Sequence, residues 1–174
     1  MSLTITKASL GVVHAHAVDT YPDECCGMII DRNGHEEVIR VTNLQNELHA
    51  KDPEQFPRTA RIAYTMGPEA APVLIGSERG EVQLRAFYHS HPEHDAYFSA
   101  EDRKQALGGW DEPSYPHAAQ IVVSVRERTV RATKVFAWDP AVRDFTEVPL
   151  IVDPNEGPPA GSFPRAGEGQ DEGD

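Results

Sequence analysis

The sequence predicts a single-domain α/β protein built around a mixed sheet. Three observations carry that reading. Apolar residues follow a helical period in some segments and alternate in others, so strands are interleaved with helices. Two pairs of strand-like segments are joined by short turns and read as hairpins. The chain has 174 residues, which suits one ordinary domain. At that length roughly 70% of the unfolded chain's surface is buried on folding, so no covalent staple is required.

The elements follow in order. Thr6–Val18 places Leu10, Val13, Ala17 and Val18 at helical spacing and predicts an opening helix. Tyr21-Pro22-Asp23 ends it, because the proline ring disfavours helix at Tyr21. Cys26–Asp31 is a short apolar run, Arg32-Asn33-Gly34 a turn and Glu36–Thr42 an alternating run, together a hairpin. Asn43–Phe56 is polar and irregular and predicts a long loop. Thr59–Thr65 reads as a strand, and Pro68–Gly76 as a helix with proline at its start. Glu81–His91 is a strand with Val82, Leu84, Ala86 and Tyr88 opposed to Gln83, Arg85 and Phe87. Another helix starts at Ser99 and stops at the Gly108-Gly109 pair. Gln120–Val125 and Thr129–Trp138 form a hairpin around Arg126–Arg128, and Phe145–Val152 is a last strand.

Beyond residue 152 the composition changes. Asp153 to Asp174 contains four prolines, five glycines and six acids against a single arginine. No hydrophobic period survives there, so residues 1–152 are read as the domain and 153–174 as an acidic, Pro/Gly-rich disordered tail. The formal net charge of the whole chain is −12. A domain of that sign repels phosphate backbones, which argues against binding nucleic acid. The only two cysteines, Cys25 and Cys26, are adjacent, and the peptide between them would strain an ordinary disulfide. Met1–Leu10 lacks the apolar core of a signal peptide. No apolar run approaches the roughly 20 residues of a membrane span. The expectation is a reduced, soluble, cytoplasmic protein with no membrane contact.

The chemistry concentrates in Phe87–Lys104, FYHSHPEHDAYFSAEDRK. In an extended strand, side chains two apart point to the same side, so His89 and His91 present two imidazoles to one spot. Pro92 biases His91 away from helix. Asp102 lies in the first turn of the helix that follows. Two imidazoles and one carboxylate leave a fourth tetrahedral position open, as in a catalytic rather than a structural zinc site. His14-Ala15-His16 has the same spacing but falls in the predicted first helix. There, neighbours two apart are rotated by about 200° and cannot converge on one ion. Those two histidines are read as one buried and one solvated.

His89-Ser90-His91-Pro92, six further residues and Ser99-Ala100-Glu101-Asp102 resemble the JAMM motif, H-[ST]-H-P-x6-S-x-x-D, of the JAMM/MPN+ (JAB domain) metalloproteases. Short prokaryotic members of that family carry an upstream P-x-E-x-C-G segment, which Pro22-Asp23-Glu24-Cys25-Cys26-Gly27 matches. The resemblance covers roughly residues 3–140. It implies a cytidine-deaminase-like α-β-α sandwich. It also implies one zinc ion (Zn2+) per chain on His89, His91 and Asp102. Glu24 would be the general base, taking a proton from the attacking water and returning one to the leaving amine. Ser99 would help stabilise the oxyanion of the tetrahedral intermediate.

The implied reaction is hydrolysis of a peptide or isopeptide bond after the C-terminal glycine of a ubiquitin-like or sulfur-carrier protein. A Gly-Gly tail is narrow enough for a metal cleft and can pair with a strand edge beside it. The competing function is a non-catalytic MPN scaffold that only binds protein partners. A zinc deaminase would need H-x-E with P-C-x-x-C, and neither is present. Several residues also carry structural readings. Ser99 and Asp102 have the spacing of a helix cap, Glu101 should point away from the site, and His94 is read as a surface residue. Cys26 is read as packing, with Cys25 left open. The Gly108–His117 loop is expected to shape the cleft, with Trp110 and Tyr115 either touching substrate or packing into the core. Monomer and homodimer both remain open.

Overall fold

A computed structural model describes residues 1–155. The tail expected from residue 153 therefore lies outside the described residues, apart from its first three positions. The chain runs β1 (Leu3–Thr6), α1 (Lys7–Thr20), β2 (Cys26–Arg32), β3 (His35–Val41), α2 (Gln45–Lys51) and α3 (Ala70–Glu78). It continues through β4 (Gln83–Pro92), α4 (Ala100–Leu107), β5 (Ala119–Arg126), β6 (Thr129–Asp139), β7 (Asp144–Val148) and β8 (Leu150–Asp153). Six strands form a sheet in the order β3-β2-β4-β5-β6-β7, and β1 pairs with β8 in a separate parallel ladder. Within the larger sheet β4 and β5 are parallel while the other neighbours are antiparallel. The fold is thus the expected single α/β domain with a mixed sheet. Among the described residues no helix is long and apolar enough to cross a membrane.

Both faces of the sheet are covered. Val13 and Ala17 of α1 pack with Ile29, Ala86, Tyr88, Ile121, Val123 and Val125 on one face. On the other, Ala70 of α3 and Tyr64 pack with Cys26, Met28, Ile30 and Leu84. Alternation along β2 explains this division, since Met28 and Ile30 point one way and Ile29 the other. The start of α1 is fixed by Thr6, whose side chain accepts a hydrogen bond from the Ser9 N–H.

The alternation of β4 does not run unbroken, as the sequence suggested. Leu84 pairs with Ile30 but Ala86 pairs with Ile29, leaving Arg85 as an extra residue opposite β2. This β-bulge shifts the phase of the strand by one. Val82 and Leu84 consequently face the α3 side, whereas Ala86 and Tyr88 face α1. Phe87 and the two histidines beyond it return to the α3 side.

Three other expectations change. Thr59–Thr65 is not a strand; the one isolated bridge nearby joins Asn43 to Met66, just past its end. The outer edge of β2 is already taken by β3, and the Asn43 side chain holds the Ala63 carbonyl and the Thr65 N–H instead. The polar segment Asn43–Phe56 contains α2, entered where Asn43 Oδ1 accepts the Gln45 N–H. The last strand is split at Pro149, which has no N–H for a ladder but whose carbonyl accepts from Leu3 N at 3.0 Å. β7 therefore stays with the large sheet, and β8 leaves to join β1.

The α1 histidines do not meet. His16 is buried with Nδ1 2.7 Å from the Tyr88 hydroxyl, while His14 is half-buried against Thr133. Burial pushes the His16 imidazole down to about 4. Its folded pKa lies below the unfolded value, so the unfolded state binds the proton more readily. Stability should then fall as pH drops from about 6.5 to about 4, by a few kcal/mol in all. Urea unfolding of His16→Gln is expected to show a shallower decline across that window than the parent. A second test concerns Gly27, where a Cβ would strike the Tyr88 ring and the Ile39 carbonyl. Gly27→Ala should cost about 1–3 kcal/mol, visible as a lower urea midpoint.

Candidate metal centre

The bulge in β4 decides where the centre forms, because it turns His89 and His91 toward α4. His89 is fully buried and His91 is 5% exposed. Asp102 reaches them from the first turn of α4, whose start is fixed by a reciprocal cap. Ser99 Oγ accepts from Asp102 N at 3.0 Å, and Ser99 N donates to Asp102 Oδ2 at 2.9 Å. Ser99 is therefore a cap in fact, as its spacing allowed.

The donor atoms converge. His89 Nε2 and His91 Nε2 are 3.1 Å apart, and Asp102 Oδ1 and Oδ2 lie 3.2 and 3.3 Å from them respectively. A tetrahedral ion with bonds of about 2.0–2.1 Å separates its ligands by about 3.3 Å, close to the spacing between the two imidazoles and between each imidazole and the Asp102 oxygen that faces it. His91 Nδ1 donates to the Asp95 carbonyl at 2.9 Å, which turns Nε2 toward Asp102 and His89, the position from which it would take a cation. His89 is held differently, its ring stacked on Tyr64 at 4.8 Å with Nδ1 buried and unpartnered. The His-His-Asp group fits a divalent metal, and it is the one such group among the described residues.

Burial works against charge on each member. It moves His89 down, outweighing the opposing pull of Asp102. It opposes charge on His91 as well, but Asp102 and the Asp95 carbonyl outweigh it and move His91 up. For Asp102 burial again opposes ionisation, and hydrogen bonds from His89, His91 and Ser99 overcome it, holding the carboxyl well below its usual range. Glu24 is the contrast. Burial pushes its carboxyl up to about 8, the Asp102 charge adds to the shift, and His91 and Arg58 oppose it.

Glu24 is 6% exposed and shares a cleft of about 960 Å³ with His91, Asp102 and Ser99. Its backbone is fixed on both sides, its N–H donating to the Ala60 carbonyl and its carbonyl accepting from Asn43 Nδ2. Asn43 fills all four of its hydrogen-bonding positions, reaching Ala63, Gln45 and Thr65 as well. Next in the chain, Cys25 exchanges backbone bonds with Ser90: Cys25 N donates to Ser90 Oγ, and Ser90 N donates to the Cys25 carbonyl. The serine between the two histidines thus ties the glutamate segment to their strand.

The sequence reading missed these supporting residues. Ser90 lay within the quoted motif without a role, while Asn43, Tyr64 and Asp95 carry no sequence signal of their own. The cleft wall was also misplaced. Its outer side is residues 54–58 and 62–65, not the Gly108–His117 loop. Trp110 is 75% exposed, and Tyr115 packs against Phe87 with its hydroxyl donating to Glu78. Neither lines the cleft, which leaves Tyr115 as packing. Glu101 is exposed at the cleft rim, 3.5 Å from Arg58, and His94 is exposed beside it. Cys25 and Cys26 are both free and buried, and burial drives each thiol up to about 12. A buried thiol raised in this way is a poor thiolate nucleophile, which favours packing for Cys25.

Comparisons with known proteins agree with this geometry. The profile of the family described as prokaryotic homologs of the JAB domain matches residues 6–139. Among solved structures, a Salinibacter ruber protein is similar at 28% identity and a TM-score of 0.55, covering 90% of this chain and 94% of that one. A Desulfitobacterium hafniense protein shares the fold at 21% identity and a TM-score of 0.61, covering 89% of this chain and 94% of that one. A JAB1/MPN domain protein from Archaeoglobus fulgidus matches more loosely, at 16% identity and a TM-score of 0.49, over 87% and 98% of the two chains. No curated protein matches. A family match over most of the chain, on a sheet that gathers the two histidines and the aspartate, makes this protein a member of the prokaryotic JAB domain family.

Proposed function

We propose that the protein is a zinc-dependent peptidase that hydrolyses an amide bond after the C-terminal glycine of a ubiquitin-like or sulfur-carrier protein. The convergence of His89, His91 and Asp102 beside a buried glutamate carries this reading. The family includes metal-dependent isopeptidases, and this chain retains the His-His-Asp group. Zinc held there would polarise the scissile carbonyl and make water a better nucleophile at neutral pH.

The chain's own residues supply the rest. Glu24, poised by burial near neutrality, would take a proton from the attacking water and pass one to the leaving amine. Asp102 and Glu24 are two carboxylates pushed apart in basicity by their surroundings, one made an anion to hold charge and one left to exchange a proton. Ser99 Oγ accepts from Asp102 N, so its hydroxyl proton remains available to the oxyanion. Capping and oxyanion stabilisation are compatible in one side chain.

A glycine tail suits the cleft because it has no side chains to exclude. It would lie along the wall formed by residues 54–65, since β4 is paired on both sides by β2 and β5 and offers no free edge.

Elemental analysis is expected to find about one zinc per chain, and removal of zinc by a chelator should abolish cleavage. Glu24→Gln should keep the zinc while lowering turnover about 10²–10⁴-fold on a sulfur-carrier conjugate read by mass. Full activity in that variant would sink the role given to Glu24. Zinc-loaded parent protein that binds such conjugates without cleaving them would point to the scaffold reading.

A further inference from the structure

The two histidines of the centre are supported unequally, and the difference leads to a residue outside the cleft. His89 relies on stacking and has no partner for Nδ1. His91 Nδ1 has one partner, the Asp95 carbonyl, while the ring lies edge-on to Tyr97 and Nε2 faces Asp102. Asp95 belongs to the turn after β4, where Glu93 takes a left-handed conformation with φ of 61°. Such a turn needs external anchors to stay fixed.

The anchors come from the end of β5. Three consecutive carbonyls of the turn are occupied. Arg126 Nη1 donates to the Glu93 carbonyl at 3.1 Å, and Ser124 Oγ donates to that of His94. The Asp95 carbonyl accepts from Tyr97 N as well as from His91. Arg126 Nη2 also donates to Asp95 Oδ1 at 2.8 Å, so one guanidinium grips both the first and the last residue of the turn. Glu93 N is held in turn by the Val125 carbonyl at 2.7 Å.

We propose that Arg126 is a positioning residue for the metal centre, fixing the ring orientation of His91 through the 93–95 turn. This rests on the metal reading of the site. Arginine suits the task because its planar fork presents donors to two acceptors at once, which a lysine head cannot reproduce. With the grip released, the Asp95 carbonyl would move off His91 Nδ1. His91 would then be free to turn about its side-chain bonds, and Nε2 would no longer be held where a cation meets the other two ligands.

The test compares the parent with Arg126→Ala, Arg126→Lys and Asp95→Ala. The last removes the Oδ1 anchor at a side chain that is 87% exposed, and it keeps the backbone carbonyl. Zinc affinity is measured by competition with a chromogenic chelator, and the His91–Asp95 bond by solvent exchange of the His91 Nδ1 proton in NMR of the metal-free protein. Arg126→Ala is expected to weaken zinc binding about 10–100-fold and to speed exchange of that proton, with its unfolding midpoint little changed. Arg126→Lys should recover part of the loss, and Asp95→Ala should shift in the same direction as Arg126→Ala. Parental zinc affinity and parental exchange of the His91 Nδ1 proton in both alanine variants would overturn the assignment. Should Arg126→Ala not fold, Asp95→Ala decides alone. A parent protein that binds no zinc would instead defeat the metal reading, and exchange of the His91 Nδ1 proton would still decide the role of Arg126.

Discussion

The extra residue at Arg85 sets which side of the sheet every later side chain of β4 meets. Before it, the strand contributes Val82 and Leu84 to the core beneath α3. After it, Ala86 and Tyr88 turn toward α1, and the histidines come round to the face where Asp102 waits. A strand has a side-chain period of two, so there is no intermediate position to adopt. Without the bulge, the apolar residues that seat the strand and the imidazoles that bind would compete for opposite faces. The functional site is therefore a consequence of phase, and the phase is stabilised by two independent cores.

That arrangement also explains how a buried anion is tolerated so close to a second carboxyl group. Unpaired, Asp102 would be costly to bury. It is instead satisfied by the cap of its own helix and by both imidazoles, and its position at a helix N-terminus favours negative charge. Glu24 has no comparable set of partners, and it shares the same low-dielectric cleft. One acid is therefore committed to charge while the other stays close to its point of exchange. The difference comes from local partners rather than depth, since both are nearly as deeply buried.

Much of this was legible in the sequence, for a physical reason. Ligand spacing, the proline after His91 and the capping serine before Asp102 are all local, and local geometry can be read from neighbours in the chain. The hairpins and α1 were legible on the same ground. What escaped depends on distant partners. The bulge at Arg85 exists only relative to β2, and Asn43 matters only because Glu24, Ala63 and Thr65 come to it. Thr59–Thr65 has strand-like composition but no open edge to join, so composition misled. The aromatic loop after α4 looked like a cleft wall because it follows a ligand helix. Adjacency in sequence did not become adjacency in space.

The short parallel ladder of β1 and β8 has a bearing on how the chain reaches this state. Leu3 pairs with Leu150, and Leu3 and Ile5 are part of the core beneath α1. A ribosome adds about 5–20 residues per second and releases the N-terminal end first. β1 therefore emerges well before its partner β8 is made, and it waits for roughly ten seconds as an unpaired edge. Strands β2 to β6 are made in that interval, whereas only Pro149 separates β7 from β8, so adding the last strand of the large sheet and sealing the α1 face are both late events of biogenesis.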